Sequence, residues 1–174
     1  MKEKEDKFLE LFNPVKQSLW KYCLSVSHSR DSAKDLLQET IETAYRQFGA
    51  MRNEQAFLSY LFTIASRIYA RSRERNRRQT PCDPADFEYV AASTASPEQA
   101  ADAAILHAAL AELPHDQGEA IILQELMGFS QAEICVIQGI NLETLKKRLY
   151  RAKNKLRELL TERIPTLQHE GAEK

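Results

Sequence analysis

The stretch from Phe129 to Leu160 constrains this chain more than any other. Ser130 is a strong helix N-cap, and Glu133, three residues on, completes a capping box. Ala132, Ile134, Cys135, Val136 and Ile137 supply the apolar residues of a short helix. Gly139 follows where the chain must turn, because glycine takes a left-handed backbone at little cost. Asn141 can cap a second helix, with Thr144 three residues later. On that helix Leu145, Leu149, Ala152 and Leu156 recur at helical spacing and define one apolar face. Lys146, Lys147, Arg148, Arg151, Lys153, Lys155 and Arg157 occupy the other faces, with no acid among residues 146–157. A short helix, a glycine turn and a basic second helix make a helix-turn-helix, whose second helix is expected to lie in a DNA major groove.

The charge of the whole chain is −1, which conceals a strong segregation. Residues 1–66 balance at nine basic and nine acidic side chains, and residues 67–78 carry six arginines against one glutamate. Residues 79–143 hold eleven acids and no lysine or arginine, and residues 146–157 then carry seven basic side chains. Two basic patches separated by an acidic stretch imply two nucleic-acid contacts joined by a segment with another task.

Few glycines and many Leu, Ala, Glu, Gln and Arg argue for an all-α chain. The reading is two small helical domains, 1–78 and 97–174, joined by a flexible linker over 79–96, the stretch Gln79–Pro97 having three prolines, small residues and little periodicity. In the first domain the expected helices are a turn at 7–12, a helix from Asn13-Pro14 carrying Val15, Leu19, Tyr22, Cys23 and Val26, and one over about Ser32–Phe48. The last buries Leu36, Leu37, Thr40, Ile41, Ala44 and Tyr45 and exposes Asp35, Gln38, Glu39 and Glu42. A long helix over about Glu54–Arg77 begins rich in aromatics and ends in the arginine run. In the second domain, helices are expected at about 97–112 and 116–127, the latter presenting Ile121, Ile122, Leu123, Leu126 and Met127. No apolar run approaches the ~20 residues of a membrane span. Residues 1–7 do not resemble a signal peptide, so a cytoplasmic protein is expected. Cys23, Cys82 and Cys135 are dispersed, which argues against structural disulfides and a zinc site. Cys135 reads as a small core residue.

Asp35-Leu36-Leu37-Gln38-Glu39-Thr40 precedes Phe57-Leu58-Ser59-Tyr60-Leu61-Phe62-Thr63-Ile64-Ala65. Leu113-Pro114, Gly128-Phe129-Ser130, Glu133-Ile134, Gly139-Ile140, Thr144-Leu145-Lys146 and Arg148-Leu149-Tyr150-Arg151-Ala152 follow. Together and in this order they resemble bacterial RNA polymerase sigma factors of the extracytoplasmic-function class, over about residues 8–78 and 97–160. The resemblance implies a DNA-melting region 2, a linker, and a helix-turn-helix region 4. It also implies core RNA polymerase and promoter DNA as partners, an anti-sigma factor as inhibitor, no cofactor, and no membrane insertion of the chain's own.

By that resemblance Asp35, Gln38 and Glu39 contact the polymerase clamp. The helix over 54–78 faces the −10 element: Tyr60 offers a stacking surface to unpaired bases, and Arg67, Arg71, Arg73 and Arg75 a positive surface to the backbone. The loop 48–53 matches the place where the family captures a flipped base. Phe57 and Ile64 read as core. Tyr60, Arg67 and Arg71 stand where the family commonly has Trp, Asn and Asp. In region 4, Glu143, Thr144, Lys147 and Arg148 are the candidates for reading −35 base edges. Lys146, Arg151, Lys153 and Lys155 are candidates for holding phosphates. Glu143 and Lys147 stand where the family often has Gly and Ser. Glu143 can cap its own helix, accept from a cytosine amino group, or repel phosphate. Asp83, Asp86 and Glu88 either mimic nucleic acid near the polymerase cleft or serve a soluble spacer.

Two other functions compete. A conventional regulator could bind an operator as a dimer, which leaves Asp35–Thr40 and the 67–78 arginines without a role. An enzyme would need paired carboxylates, metal spacing, a glycine-rich phosphate loop or a nucleophile with its base, and none stands out.

Overall fold

The computed structural model describes residues 2–27, 29–51, 53–76 and 97–163, and for 75, 76 and 97–101 the helical backbone alone. The expected linker, with Asp83, Asp86 and Glu88, lies outside the described residues. Every described element is helical: α1 (Lys2–Phe12), α2 (Lys16–Val26), α3 (Arg30–Gln47), α4 (Phe57–Asn76), α5 (Pro97–Ala111), α6 (His115–Ile121), α7 (Gln131–Gln138) and α8 (Leu142–Arg163). Single 3-10 turns at Phe48–Ala50 and Glu54–Ala56 join α3 to α4, and a π-helical segment, Ile122–Leu126, prolongs α6. The fold is all-α, with two helical domains. No helix among the described residues is long and apolar enough to cross a membrane.

Local chemistry accounts for the boundaries that depart from expectation. Helix α1 begins at Lys2, well before residue 7, with Glu3 and Glu5 complementing the positive end of its dipole. Helix α2 starts at Lys16, two residues past Pro14. The chain first turns, with Asn13 N–H donating to Leu9 O at 2.9 Å and Val15 N–H to Phe12 O at 3.0 Å. Helix α3 starts at Arg30 because Ser29 is its N-cap, accepting from Ser32 N–H at 3.1 Å. On α3, Leu36, Thr40 and Ala44 are buried together with Ala33, while Leu37, Ile41 and Tyr45 are half-buried.

The N-terminal core is aromatic. Phe8 stands edge-on to Tyr45, Phe48 and Phe57 with ring centroids 5.3, 5.3 and 5.6 Å apart, an arrangement favoured by the ring quadrupoles. Phe57 and Ile64 are core residues, as expected. The C-terminal core gathers Leu123, Ile134, Ile137, Leu145 and Leu149. Of the five apolar residues on α7, only Ile134 and Ile137 are buried. Cys135 is half-buried instead of core, and Val136 is 65% exposed, because only the i, i+3 pair shares the inward face. Leu126 is 45% exposed. The π-helical turn, closed by Met127 N–H on Ile122 O at 3.0 Å, rotates it off the apolar stripe.

The two cores merge into one. Phe62 of α4 packs edge-on against Phe129 at 4.8 Å between ring centroids, and residues of both domains share a single apolar cluster. Phe62 is fully buried. Phe62→Ala should therefore lose about 3–5 kcal/mol of stability in denaturant unfolding; a loss below ~1 kcal/mol would contradict its place in the core.

Candidate nucleic-acid interface

Three surfaces carry the residues singled out above. On α3, Asp35, Gln38 and Glu39 are all exposed and share one face by their i, i+3, i+4 spacing. Gln38 donates to Glu42 at 2.9 Å. Among the described residues neither Asp35 nor Glu39 has an ion-pair partner, so the face presents net negative charge.

On α4, Tyr60, Arg67 and Arg71 fall within about 40° of one another around the helix axis. Both arginines are exposed. Tyr60 is half-buried, its ring 6.4 Å from Phe57 and its hydroxyl 3.4 Å from Ala44 O, and burial raises its phenol above 10.0. One edge of the ring is thus held by the core while the helix face beside it is cationic. Arg73 does not share that face. It lies roughly 140° round the helix and lines a cavity of about 30 Å³ with Tyr69, His107, His115 and Glu119, on the side of the C-terminal domain. The Arg75 side chain lies outside the described residues.

The helix-turn-helix is built as its sequence dictates. Ser130 Oγ accepts from Glu133 N–H at 3.3 Å, and Glu133 Oε2 accepts from Ser130 N–H at 2.8 Å. Ser130 Oγ also donates to Glu133 Oε2 at 2.6 Å, and this bond first, then the one from Ser130 N–H, holds the Glu133 carboxyl below its ordinary 4.5. Gly139 turns the chain at φ 66°, and Asn141 Oδ1 accepts from Thr144 N–H at 2.8 Å. Leu145, Leu149 and Ala152 seat α8 on the core, with Leu156 half-buried behind them.

That seating divides the candidate −35 residues. Glu143, Lys146, Lys147 and Arg151 are exposed and Thr144 is half-buried. Glu143 pairs with Lys147 at 2.6 Å across one turn. Among the described residues Lys146 and Arg151 have no ion pair. Arg148 sits at the flank of the buried stripe with 24% of its side chain exposed. Its Nε lies 3.0 Å from Asp116 Oδ2, and its Nη1 donates to Gln138 Oε1 at 3.1 Å. Lys153 pairs with Glu125 at 2.9 Å and Lys155 with Glu158 at 3.3 Å. The acidic stretch and the basic helix are therefore partly each other's counterions. The charge segregation signalled this, but gave no pairing.

Sequence reasoning missed the residues that join the domains. Tyr22 OH, on α2, donates to Glu119 Oε1 on α6 at 2.5 Å. Glu119 Oε2 accepts from Gln138 Nε2 at 2.8 Å, and the same amide nitrogen lies 3.2 Å from Asp116 O. His107 Nε2 lies 3.1 Å from Leu24 O, which as an acceptor only places a proton on that nitrogen. The His115 ring meets Tyr69 edge-on at 4.5 Å. Burial, then Glu119, pushes the Tyr22 phenol well above 10.0. Burial is also the leading cause that lowers both His107 and His115 below 6.5; at His115 Glu119 and Asp116 oppose it while Arg73 and Arg148 add to it.

Comparison with known proteins spans the same parts. A family model described as Sigma-70 region 2 matches residues 11–79, and one described as Sigma-70, region 4 matches residues 103–156. The ECF RNA polymerase sigma factor EcfG of Rhodopseudomonas palustris is 34% identical over 145 residues, covering 82% of this chain and 79% of that protein. The RNA polymerase sigma factor SigV of Bacillus subtilis is 30% identical over 146 residues, covering 84% and 86%. Among solved structures, the sigma factor RpoE in complex with the anti-sigma factor NepR, from Bartonella quintana, superposes with a TM-score of 0.71 at 28% identity, covering 92% of this chain and 98% of that one.

The two histidines generate a pH dependence. In the unfolded chain they take up protons near 6.5, whereas the folded state accepts them only at lower pH. Their contribution to stability is intact above that value and declines as pH falls below it. The urea midpoint should drop between pH 7.5 and 5.5, and the drop should shrink in a His107→Gln/His115→Gln chain. An equal drop in both chains would exclude these histidines as the cause.

Proposed function

Because the chain belongs to the extracytoplasmic-function sigma factors of bacterial RNA polymerase, we propose a division of labour among its surfaces in promoter-specific initiation. Region 2, assigned to residues 1–78, docks on the polymerase clamp through Asp35, Gln38 and Glu39. The α4 face of Tyr60, Arg67 and Arg71 receives the opened −10 element, with Tyr60 stacking on an unpaired base and the arginines on phosphates. Arg73 and Arg75 extend that positive surface toward the end of α4. Residues 79–96 connect to region 4, assigned to 97–174. There Glu143, Thr144, Lys147 and Arg148 face −35 base edges, and Lys146 and Arg151 hold phosphates, with Lys153 and Lys155 behind them.

The observation that carries this reading is the coexistence, on one chain, of an acidic helix face, a cationic helix face bearing a tyrosine, and a fully capped helix-turn-helix. The protein acts in the cytoplasm without a cofactor and performs no covalent chemistry of its own; it selects where the polymerase starts. The likeness to RpoE, itself solved with the anti-sigma factor NepR, supports control of this chain by an anti-sigma factor that holds both domains.

Transcription in vitro with core polymerase tests the reading. Promoter-specific starts are expected; tight binding of duplex DNA by the chain alone with no start on any genomic template would instead indicate an operator-binding regulator. Asp35→Ala should weaken core-polymerase binding while leaving DNA binding by region 4 intact, and equal loss of both would contradict the docking role. Arg148→Ala should relax base preference at −35 by roughly 1–3 kcal/mol. Lys146→Ala should weaken all duplexes alike and lower the salt slope by about one. Identical selectivity profiles for these two variants would contradict the division between reading and holding.

A further inference from the structure

Tyr22, Glu119, Gln138 and Arg148 form one hydrogen-bonded series from the core of region 2 to the flank of the recognition helix. Tyr22 is fully enclosed and Glu119 is 4% exposed. One oxygen of that carboxylate takes the Tyr22 hydroxyl and the other takes Gln138 Nε2. With its nitrogen committed to Glu119 and to Asp116 O, Gln138 has only its oxygen to offer, and that oxygen faces Arg148 Nη1. The Arg148 side chain is thereby fixed from two sides, by Gln138 and by Asp116.

This packed arrangement cannot span a promoter. The −10 and −35 elements lie about 25 base pairs apart, roughly 85 Å along B-form DNA at 3.4 Å per pair. A compact chain of this length has a radius of gyration of roughly 16 Å. The domains must part to engage both elements at once, and parting takes Tyr22 away from Glu119. A buried carboxylate that loses a donor must recruit water or rearrange its remaining bonds, and Gln138 makes one of those bonds.

We propose that Gln138 is a positioning residue that couples the seating of region 2 on region 4 to the posture of Arg148. With Tyr22 in place, Glu119 anchors the Gln138 amide and the amide holds Arg148 against Asp116 of its own domain. When region 2 departs, the anchor relaxes and Arg148 becomes available to a base edge. This deepens the −35 role assigned to Arg148 and rests on it.

The test uses the full chain and needs no known promoter. The side-chain Nε–H resonance of Arg148 and the amide resonances of Gln138 are recorded by NMR, and a randomised-sequence duplex pool measures affinity and base preference. Tyr22→Phe should raise the ratio of open to closed chain roughly tenfold or more, since it deletes a hydrogen bond to a charged group. It should displace the Arg148 resonance and tighten binding to the preferred duplexes severalfold. Gln138→Ala, which leaves Tyr22 intact, should displace the Arg148 resonance by itself, and adding Tyr22→Phe should then move it little further. Such non-additivity is what a shared path requires and a purely structural role does not. An Arg148 resonance unmoved by Tyr22→Phe, or strictly additive effects of the two substitutions, would overturn the coupling. If Arg148→Ala leaves base preference unchanged, the −35 reading of Arg148 fails; the resonance experiment judges the coupling independently of that result.

Discussion

Glu119 is the point on which the two domains depend. A carboxylate with almost no solvent exposure is tolerable only if its oxygens are satisfied. One is satisfied by Tyr22, 97 residues earlier in the chain, and the other by Gln138. Removing either donor leaves a buried anionic oxygen short of a partner, which costs more than the hydrogen bond itself contributes. Around this polar centre the contacts are apolar and aromatic: Phe62 against Phe129 and Tyr69 against His115. Apolar contact supplies most of the adhesion, while the Tyr22–Glu119 bond fixes the angle at which region 4 sits.

The same seam governs which cationic groups are available. Arg73 is turned toward the small cavity beside His115, and Arg148 is held by Asp116 and Gln138. Arg67, Arg71, Arg73, Lys146 and Arg151 are all exposed. The packed chain thus keeps a set of cations ready for long-range attraction to DNA and holds back Arg148, the one fixed by Asp116 and Gln138. The acids of residues 112–125 have a related role. Glu112, Asp116 and Glu125 pair with Arg163, Arg148 and Lys153, so the large opposite charges of the acidic stretch and the basic helix partly cancel inside region 4.

Local signals were the legible ones. Ser130 with Glu133, Gly139 and Asn141 with Thr144 each encode their own bond within four residues, and the helix-turn-helix follows from them. The inward stripe of α8 and the exposed face of α3 follow from periodicity. Ser29 escaped notice because its partner is a plain serine and no acid completes a box. Val136 and Leu126 were misread because an apolar residue in a short helix, or beside a π-helical turn, need not point inward. Arg73 looked like its neighbours because an arginine run does not announce which member faces which way. The Tyr22–Glu119 bond left no trace at all, since a pairing across 97 residues imposes no pattern on either segment. The family is written in the order of local motifs, whereas the closed geometry depends on contacts between residues far apart in sequence.

The domains are seated together in the free chain, and engaging both promoter elements at once requires that they separate. Spin labels at Ser32 and Glu158, both exposed, allow the distance between α3 and α8 to be measured by pulsed dipolar spectroscopy. One short distance is expected in the free chain, lengthened by tens of ångströms in the complex with core polymerase and a promoter that it transcribes, as the ~85 Å between the elements requires. An unchanged distance in a transcribing complex would contradict this separation.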